Sequence, residues 1–194
     1  SGGPAGRPAA EWERYVMRVG HALHRDDPVF ARVCLWPEVV DAMSELLEGP
    51  LRVLQSAVIY KQPKSDAVFF RPHQDAWYLP CSPPDLALAF VALDDCDEEN
   101  GCLEVTPGSH KHGLTAKLEL ELDDFIVHGS PDPALAAAPR RVLPMRRGDV
   151  AFVHGLAYHA SGPNRSPRPR RSLITHVAGP ALRLDPMSWL QPPP

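Results

Sequence analysis

The residues able to do chemistry in this chain fall into three stretches: His73-Gln74-Asp75, a segment ending at His159, and Arg170 shortly beyond it. On an extended strand, residues two apart point to the same face. An imidazole at 73 and a carboxylate at 75 would therefore converge. A second imidazole from another strand completes two neutral nitrogen donors and one anionic oxygen. That set holds Fe(II) on one side and leaves the opposite positions open. An arginine on a nearby strand then has a natural partner in the carboxylate of a cosubstrate.

With nine histidines in the chain, the triplet alone is not specific, and its neighbours supply the context. Phe69-Phe70-Arg71-Pro72 precede it and Ala76-Trp77-Tyr78-Leu79 follow, an aromatic stretch read as extended and suited to the rim of a pocket. Trp77 is the candidate substrate wall there, against the default of a core aromatic. His154 and His159 have opposite parity and would face opposite sides of one continuous strand. His159 runs directly into Ala160-Ser161-Gly162-Pro163-Asn164, a turn, which puts it at a strand end facing the mouth. His154 is then a packed or supporting histidine. His110 is open to two readings, toward the substrate or as a turn-stabilising or exposed imidazole. Arg171 has the opposite parity to Arg170 and should be solvent-facing or paired; if the parity is reversed, the two exchange roles.

These side chains need strands to carry them. Trp12, Tyr15, Val16, Val19 and Leu23 recur at helical spacing and predict a helix over about 9–25. A second helix opens at Pro37, carries Val39, Val40, Met43, Leu46 and Leu47 as its stripe, and stops at Gly49-Pro50. The period then changes: 51–60, 86–93, 102–106, 149–153 and 172–177 are apolar or β-branched runs bounded by turn residues. Two helices followed by short strands exclude a βαβ pattern and point to antiparallel sheets, a sandwich or a jelly roll, with helices outside. In a jelly roll, ligands sit in the mouth between the sheets. Residues 117–147 read as a long connection over the site, with a short strand or helix inside; a lid and a packed excursion without a role are equally weighted.

Composition narrows the function classes. The 194 residues, 44% apolar and 23% charged, fit one domain spanning 1–194 with 1–8 as a flexible tail. Nothing at the start reads as a secretion signal, and no apolar run is long enough to span a bilayer. The net charge of −4 argues against general nucleic-acid binding, including a nucleic-acid demethylase. Arg165, Arg168, Arg170 and Arg171 form the densest cationic group, read as a solvated loop with one functional member rather than a phosphate patch. The four cysteines show no paired spacing and fit free thiols in a reducing, cytoplasmic setting. The 23 prolines mark rigid loops, clustering in 163–169 and 191–194.

Three blocks then carry a family likeness: Pro72-His73-Gln74-Asp75; Glu99-Asn100-Gly101-Cys102-Leu103 running into Pro107-Gly108-Ser109-His110; and Gly148-Asp149 through His159-Ala160-Ser161-Gly162 to Arg170. Together they resemble the phytanoyl-CoA dioxygenase family of Fe(II)/2-oxoglutarate oxygenases. Pro28-Val29-Phe30, Gln55-Ser56, Lys61-Gln62-Pro63 and Trp189-Leu190-Gln191-Pro192 extend the likeness over nearly everything after the first helix. The turn formers among these residues are also explained by their φ preferences alone.

The resemblance implies a mainly β fold with flanking helices, a double-stranded β-helix (jelly roll, cupin-like). It implies His73, Asp75 and His159 as iron ligands. Arg170 and Ser161 would hold the far carboxylate of 2-oxoglutarate. Ala57 matches a position that contacts the cosubstrate and is usually Met, and Phe90 one where relatives carry Trp; both are departures. A lysine that some relatives use near the first helix has no evident counterpart, with His21 or His24 in its neighbourhood. The strand with which family members usually begin is not evident either. The expected activity is oxidation, typically hydroxylation, of a small organic molecule with O2, releasing succinate and CO2. Asp75 fills the position that related halogenases leave small for a halide. The rival class is a catalytically silent ligand-binding jelly roll or a cupin-type isomerase.

Overall fold

The structure is a computed structural model that describes residues 15–121, 124–186, 188 and 190. The flexible tail expected at 1–8 lies outside them. Two antiparallel sheets face each other. The larger is built from β1 (Arg18–Val19), β2 (Arg52–Lys61), β5 (Leu86–Ala92), β10 (Val150–His154) and β12 (Arg170–Ala178), in the order β1-β2-β12-β5-β10. The smaller, in the order β3-β11-β6-β9, uses β3 (Phe70–His73), β6 (Leu103–Val105), β9 (Arg141–Leu143) and β11 (His159–Ser161). Two pairs stand apart, β4 (Cys81–Ser82) with β13 (Arg183–Leu184) and β7 (Ala116–Glu121) with β8 (Asp124–Gly129). This is the jelly roll.

The large sheet is covered on its outer face by helices. Alternation assigns its residues to the two faces. In β5, Ala87 and Ala89 pack on Val39, Met43 and Leu47 of the helical layer, while Leu88, Phe90 and Ala92 turn inward to Cys102, Leu103 and Val153. In β12, Leu173 and Val177 meet the helical layer; Arg170, Ser172, Ile174 and His176 line the space between the sheets. β5 is buried along its whole length, as its continuous apolar run requires.

The helix expected over 9–25 is replaced, within the described part, by other structure. Residues 9–14 lie outside it. Arg18 and Val19 pair with Ile59 and Val58 of β2, Gly20 takes φ +76, and only α1 (Leu23–Asp26) is helical. A glycine in the left-handed region ends any helical run, and β-branched Val19 suits the sheet edge instead. A helix not expected from the periodicity follows, α2 (Pro28–Cys34). Asp27 caps it by accepting from the N–H groups of Val29 and Phe30, with Pro28 in the first turn. α3 (Pro37–Leu46) is the proline-opened helix read from the sequence.

Two short helices interrupt the strand run, α4 (Asp75–Tyr78) and α5 (Pro133–Ala137). The 117–147 connection is thus a hairpin, a short helix and the edge strand β9, which pairs with β6. Among the described side chains, none from 117–147 lines the central cavity. Cys34, Cys81, Cys96 and Cys102 are free thiols. No helix among the described residues is long and apolar enough to cross a membrane.

Candidate metal and carboxylate site

A cavity of about 570 Å³ opens between the sheets. His73 ends β3 and faces His159, the first residue of β11, directly across the strand pair. The chain stays extended through Gln74 (φ −110°, ψ 137°), so His73 and Asp75 turn the same way although Asp75 already opens α4. Gln74 points oppositely and is fully buried. Its amide donates to the carbonyls of Gly113 (2.8 Å) and Leu156 (2.7 Å), while its Oε1 accepts from Trp77 Nε1 (2.8 Å). The middle residue of the triplet thereby locks the two outer ones.

Both imidazoles have a defined tautomer. His73 Nδ1 donates to the Arg71 carbonyl (2.8 Å) and His159 Nδ1 to the Ala157 carbonyl (3.0 Å). A carbonyl only accepts, so the protons sit on Nδ1 and each Nε2 lone pair is free. Those Nε2 atoms lie 3.7 Å and 3.5 Å from Asp75 Oδ1. One ligand atom from each of the three residues lies within 4.8 Å of the others. Burial pushes the His159 imidazole down to about 4, so it is neutral at ordinary pH, as a ligand must be. Burial alone would raise the Asp75 carboxyl, but on balance it lies well below the usual range, with His176 the imidazole placed to donate to it. Asp75 Oδ2 is buried without a hydrogen-bond partner among the described residues. Two free nitrogen lone pairs and an uncommitted carboxylate oxygen, all buried, fit a divalent iron.

Arg170 lies deeper in the cavity. It is 1% exposed, yet among the described residues no carboxylate pairs with it. Nη1 donates to Ser172 Oγ (2.8 Å), and Nη2 to the Gly101 carbonyl (3.0 Å) and Ser161 Oγ (3.1 Å). Nε has no hydrogen-bond partner among the described residues. The guanidinium stands 5.7 Å from the centroid of the Phe90 ring. A buried, permanently charged group without a counter-ion is costly unless an anion joins it. Two other arginines of its group are occupied: Arg171 with Asp94 (2.7 Å) and Arg168 with Asp97 (2.9 Å), both in exposed settings.

The sequence of the chain matches the profile of the phytanoyl-CoA dioxygenase (PhyH) family over residues 5–172. The chain belongs to that family. Phytanoyl-CoA dioxygenase domain-containing protein 1 of Mus musculus is 36% identical over 188 residues, covering 94% of this chain and 64% of the mouse protein. Phytanoyl-CoA dioxygenase 1 of Oryza sativa subsp. japonica is 35% identical, covering 92% of this chain and 63% of its own length. The chain therefore spans less than two thirds of these relatives. Among solved structures, the epimerase SnoN in complex with Fe3+, alpha ketoglutarate and nogalamycin RO aligns with TM-score 0.75 at 27% identity, covering 91% of this chain and 69% of SnoN.

The PhyH-family positions read from the sequence are not all brought to the cavity. Ser161 and Phe90 line it. Ala57 lies on the cavity side of β2, between Gln55 and Ile59, but its methyl group does not reach the lining that both neighbours reach. Trp77 is not a cavity wall. The segment after Asp75 is a helical turn rather than extended, so Tyr78, three residues on, shares the face of Asp75 and lines the cavity. Trp77 turns into the core and packs edge-on against Tyr158 (centroids 5.6 Å). His110 also lies away from the cavity, in a one-turn helix, with its ring 5.3 Å from that of His154. His154 ends β10 and is exposed; residues 155–158 separate it from β11, so the two histidines never share a strand.

Of the two N-terminal histidines, His21 lines the cavity mouth with Arg18 and bonds Gln55 (3.1 Å), whereas His24 bonds Ser56 behind β2. Sequence reasoning missed His176, whose Nε2 lies 3.3 Å from Asp75 Oδ1. Its even parity with Arg170 along one strand was the available signal.

Proposed function

We propose that this chain is a non-haem Fe(II)- and 2-oxoglutarate-dependent dioxygenase that oxidises a small organic molecule. His73, Asp75 and His159 would hold the iron. When bound, iron supplies the coupling of O2 to oxidative decarboxylation of 2-oxoglutarate, which yields succinate, CO2 and an oxidised substrate. Asp75 would supply the anionic oxygen of that site and the two backbone-anchored imidazoles its nitrogen donors. Arg170 and Ser161 would receive the distal carboxylate, with Phe90 beneath the guanidinium as an apolar floor that strengthens the pairing. The sheets exclude water from the reacting groups, and the mouth near Tyr78 and Phe70 would admit the substrate.

The observation that carries this reading is the buried, unpaired Arg170 in the same cavity as the two-histidine, one-carboxylate cluster. A metal cluster alone would serve a cupin-type isomerase equally well; the unmatched buried cation favours a carboxylate cosubstrate. Hydroxylation is the simplest outcome; epimerisation, the activity named for SnoN, leaves the oxidation state of its substrate unchanged. The free thiols fit a cytoplasmic setting.

The test is thermal denaturation with Mn(II) as a redox-silent stand-in for iron. Adding 2-oxoglutarate to the Mn(II)-loaded protein should raise Tm through linkage. Arg170→Ala should weaken that response by about 100-fold in 2-oxoglutarate concentration, the loss of a charge-assisted pair worth roughly 3 kcal/mol. An unchanged Tm in the wild type at saturating 2-oxoglutarate would favour the binding-module alternative.

A further inference from the structure

Lys61 is a second buried cation beside Arg170. It ends β2, is 1% exposed, and stands directly opposite Arg170 in the β2–β12 register. Directly opposed residues of an antiparallel pair project their side chains to one face. The ammonium donates to the backbone carbonyls of Ser161 (3.2 Å) and Gly162, with the Phe70 ring centroid 5.8 Å away. These carbonyls close the strand that starts at His159 and offers Ser161 Oγ to Arg170. The backbone of Lys61 is fixed as well, its carbonyl accepting from Asn164 Nδ2 (3.1 Å).

The charges around this amine do not neutralise it. Among the described residues no carboxylate pairs with Lys61. Glu104, on β6, is engaged by Arg140 at 2.8 Å. Cys96 and Cys102 are thiols that burial pushes up, Cys96 to about 11, so they are uncharged. His159 on β11 is neutral. Arg170 on β12 is the permanent charge that faces it.

We propose that Lys61 is a positioning residue of the carboxylate pocket, pinning the Ser161–Gly162 end of β11 against Arg170 and supplying a second positive charge behind a bound dicarboxylate. The inference rests on the 2-oxoglutarate reading above. Its consequence is proton linkage. Burial and, after it, the charge of Arg170 push the free amine down to about 7. An anion on Arg170 favours the ammonium, so binding draws a proton from solvent wherever the free site is neutral.

The experiment is calorimetric titration of the Mn(II)-loaded protein with 2-oxoglutarate, in paired buffers of different ionisation enthalpy, for wild type and Lys61→Met. Wild type should take up close to one proton per 2-oxoglutarate at about pH 8 and little at about pH 6, with Kd rising up to about tenfold per pH unit above neutrality. Lys61→Met should show no such uptake, and should bind about tenfold more weakly than wild type at about pH 6, where wild type carries the charge. Uptake of the same size in Lys61→Met, or none in wild type at about pH 8, overturns the proposal; the second outcome needs no variant to fold. Wild type that binds no 2-oxoglutarate at any pH overturns the proposed function itself.

Discussion

His176 Nε2 lies 3.3 Å from Asp75 Oδ1, nearer than His159 at 3.5 Å or His73 at 3.7 Å. Two of these imidazoles have their Nδ1 atoms tied to backbone carbonyls, whereas His176 Nδ1 has no partner among the described residues. His176 is thus free to present its proton at Nε2, engaging one carboxylate oxygen and leaving the other for a metal.

His176→Phe keeps a ring in the cavity and removes the donor. Mn(II) affinity should fall about 10- to 100-fold, the usual effect of losing a group that orients a metal ligand. Titration of the metal-free protein with Mn(II), followed by paramagnetic resonance of the free ion, measures it. Unchanged affinity would mean that Asp75 needs no such support.

Adjacent aromatics should separate cleanly. Trp77 is buried against Tyr158, while Tyr78 is 46% exposed at the cavity mouth. Trp77→Ala should destabilise the fold by about 3–5 kcal/mol, read by denaturant unfolding. Tyr78→Ala should stay within about 1 kcal/mol and change substrate KM rather than the requirement for 2-oxoglutarate.

Acid should unfold the metal-free protein partly through His159. Its folded pKa, about 4, is below the ordinary value of 6.5, so the unfolded chain binds the proton more readily. The associated stability is present above about pH 6.5 and is lost as pH falls toward 4, roughly 3 kcal/mol in all. Asp75, also depressed, acts in the same direction at lower pH. Urea unfolding of chelator-treated protein across that range should show falling stability, and His159→Gln should flatten the upper part of the curve.

Much of the architecture was legible because burial on both faces writes a continuous apolar run, as in β5, and because Pro37 and Gly49 punctuate α3. Parity worked where the chain really is extended. It joined His73 to Asp75 through Gln74, and it would have added His176 to Arg170 along β12. It failed wherever the chain changed conformation inside a motif. The helical turn at Asp75 exchanges Trp77 for Tyr78, and the break at 155–158 removes the common strand assumed for His154 and His159. The partnership of Lys61 with Arg170 depends on which strands become neighbours, a long-range pairing that no local pattern encodes.

The central claim is that His73, Asp75 and His159 form an iron site coupled to 2-oxoglutarate turnover. Succinate release from purified protein supplied with Fe(II), 2-oxoglutarate and O2 tests it most directly, wild type against Asp75→Ala, with folding of both checked by thermal denaturation. Wild type is expected to release succinate even without its substrate, slowly, and Asp75→Ala to release none. Turnover of 2-oxoglutarate by folded Asp75→Ala at the wild-type rate would contradict the assignment.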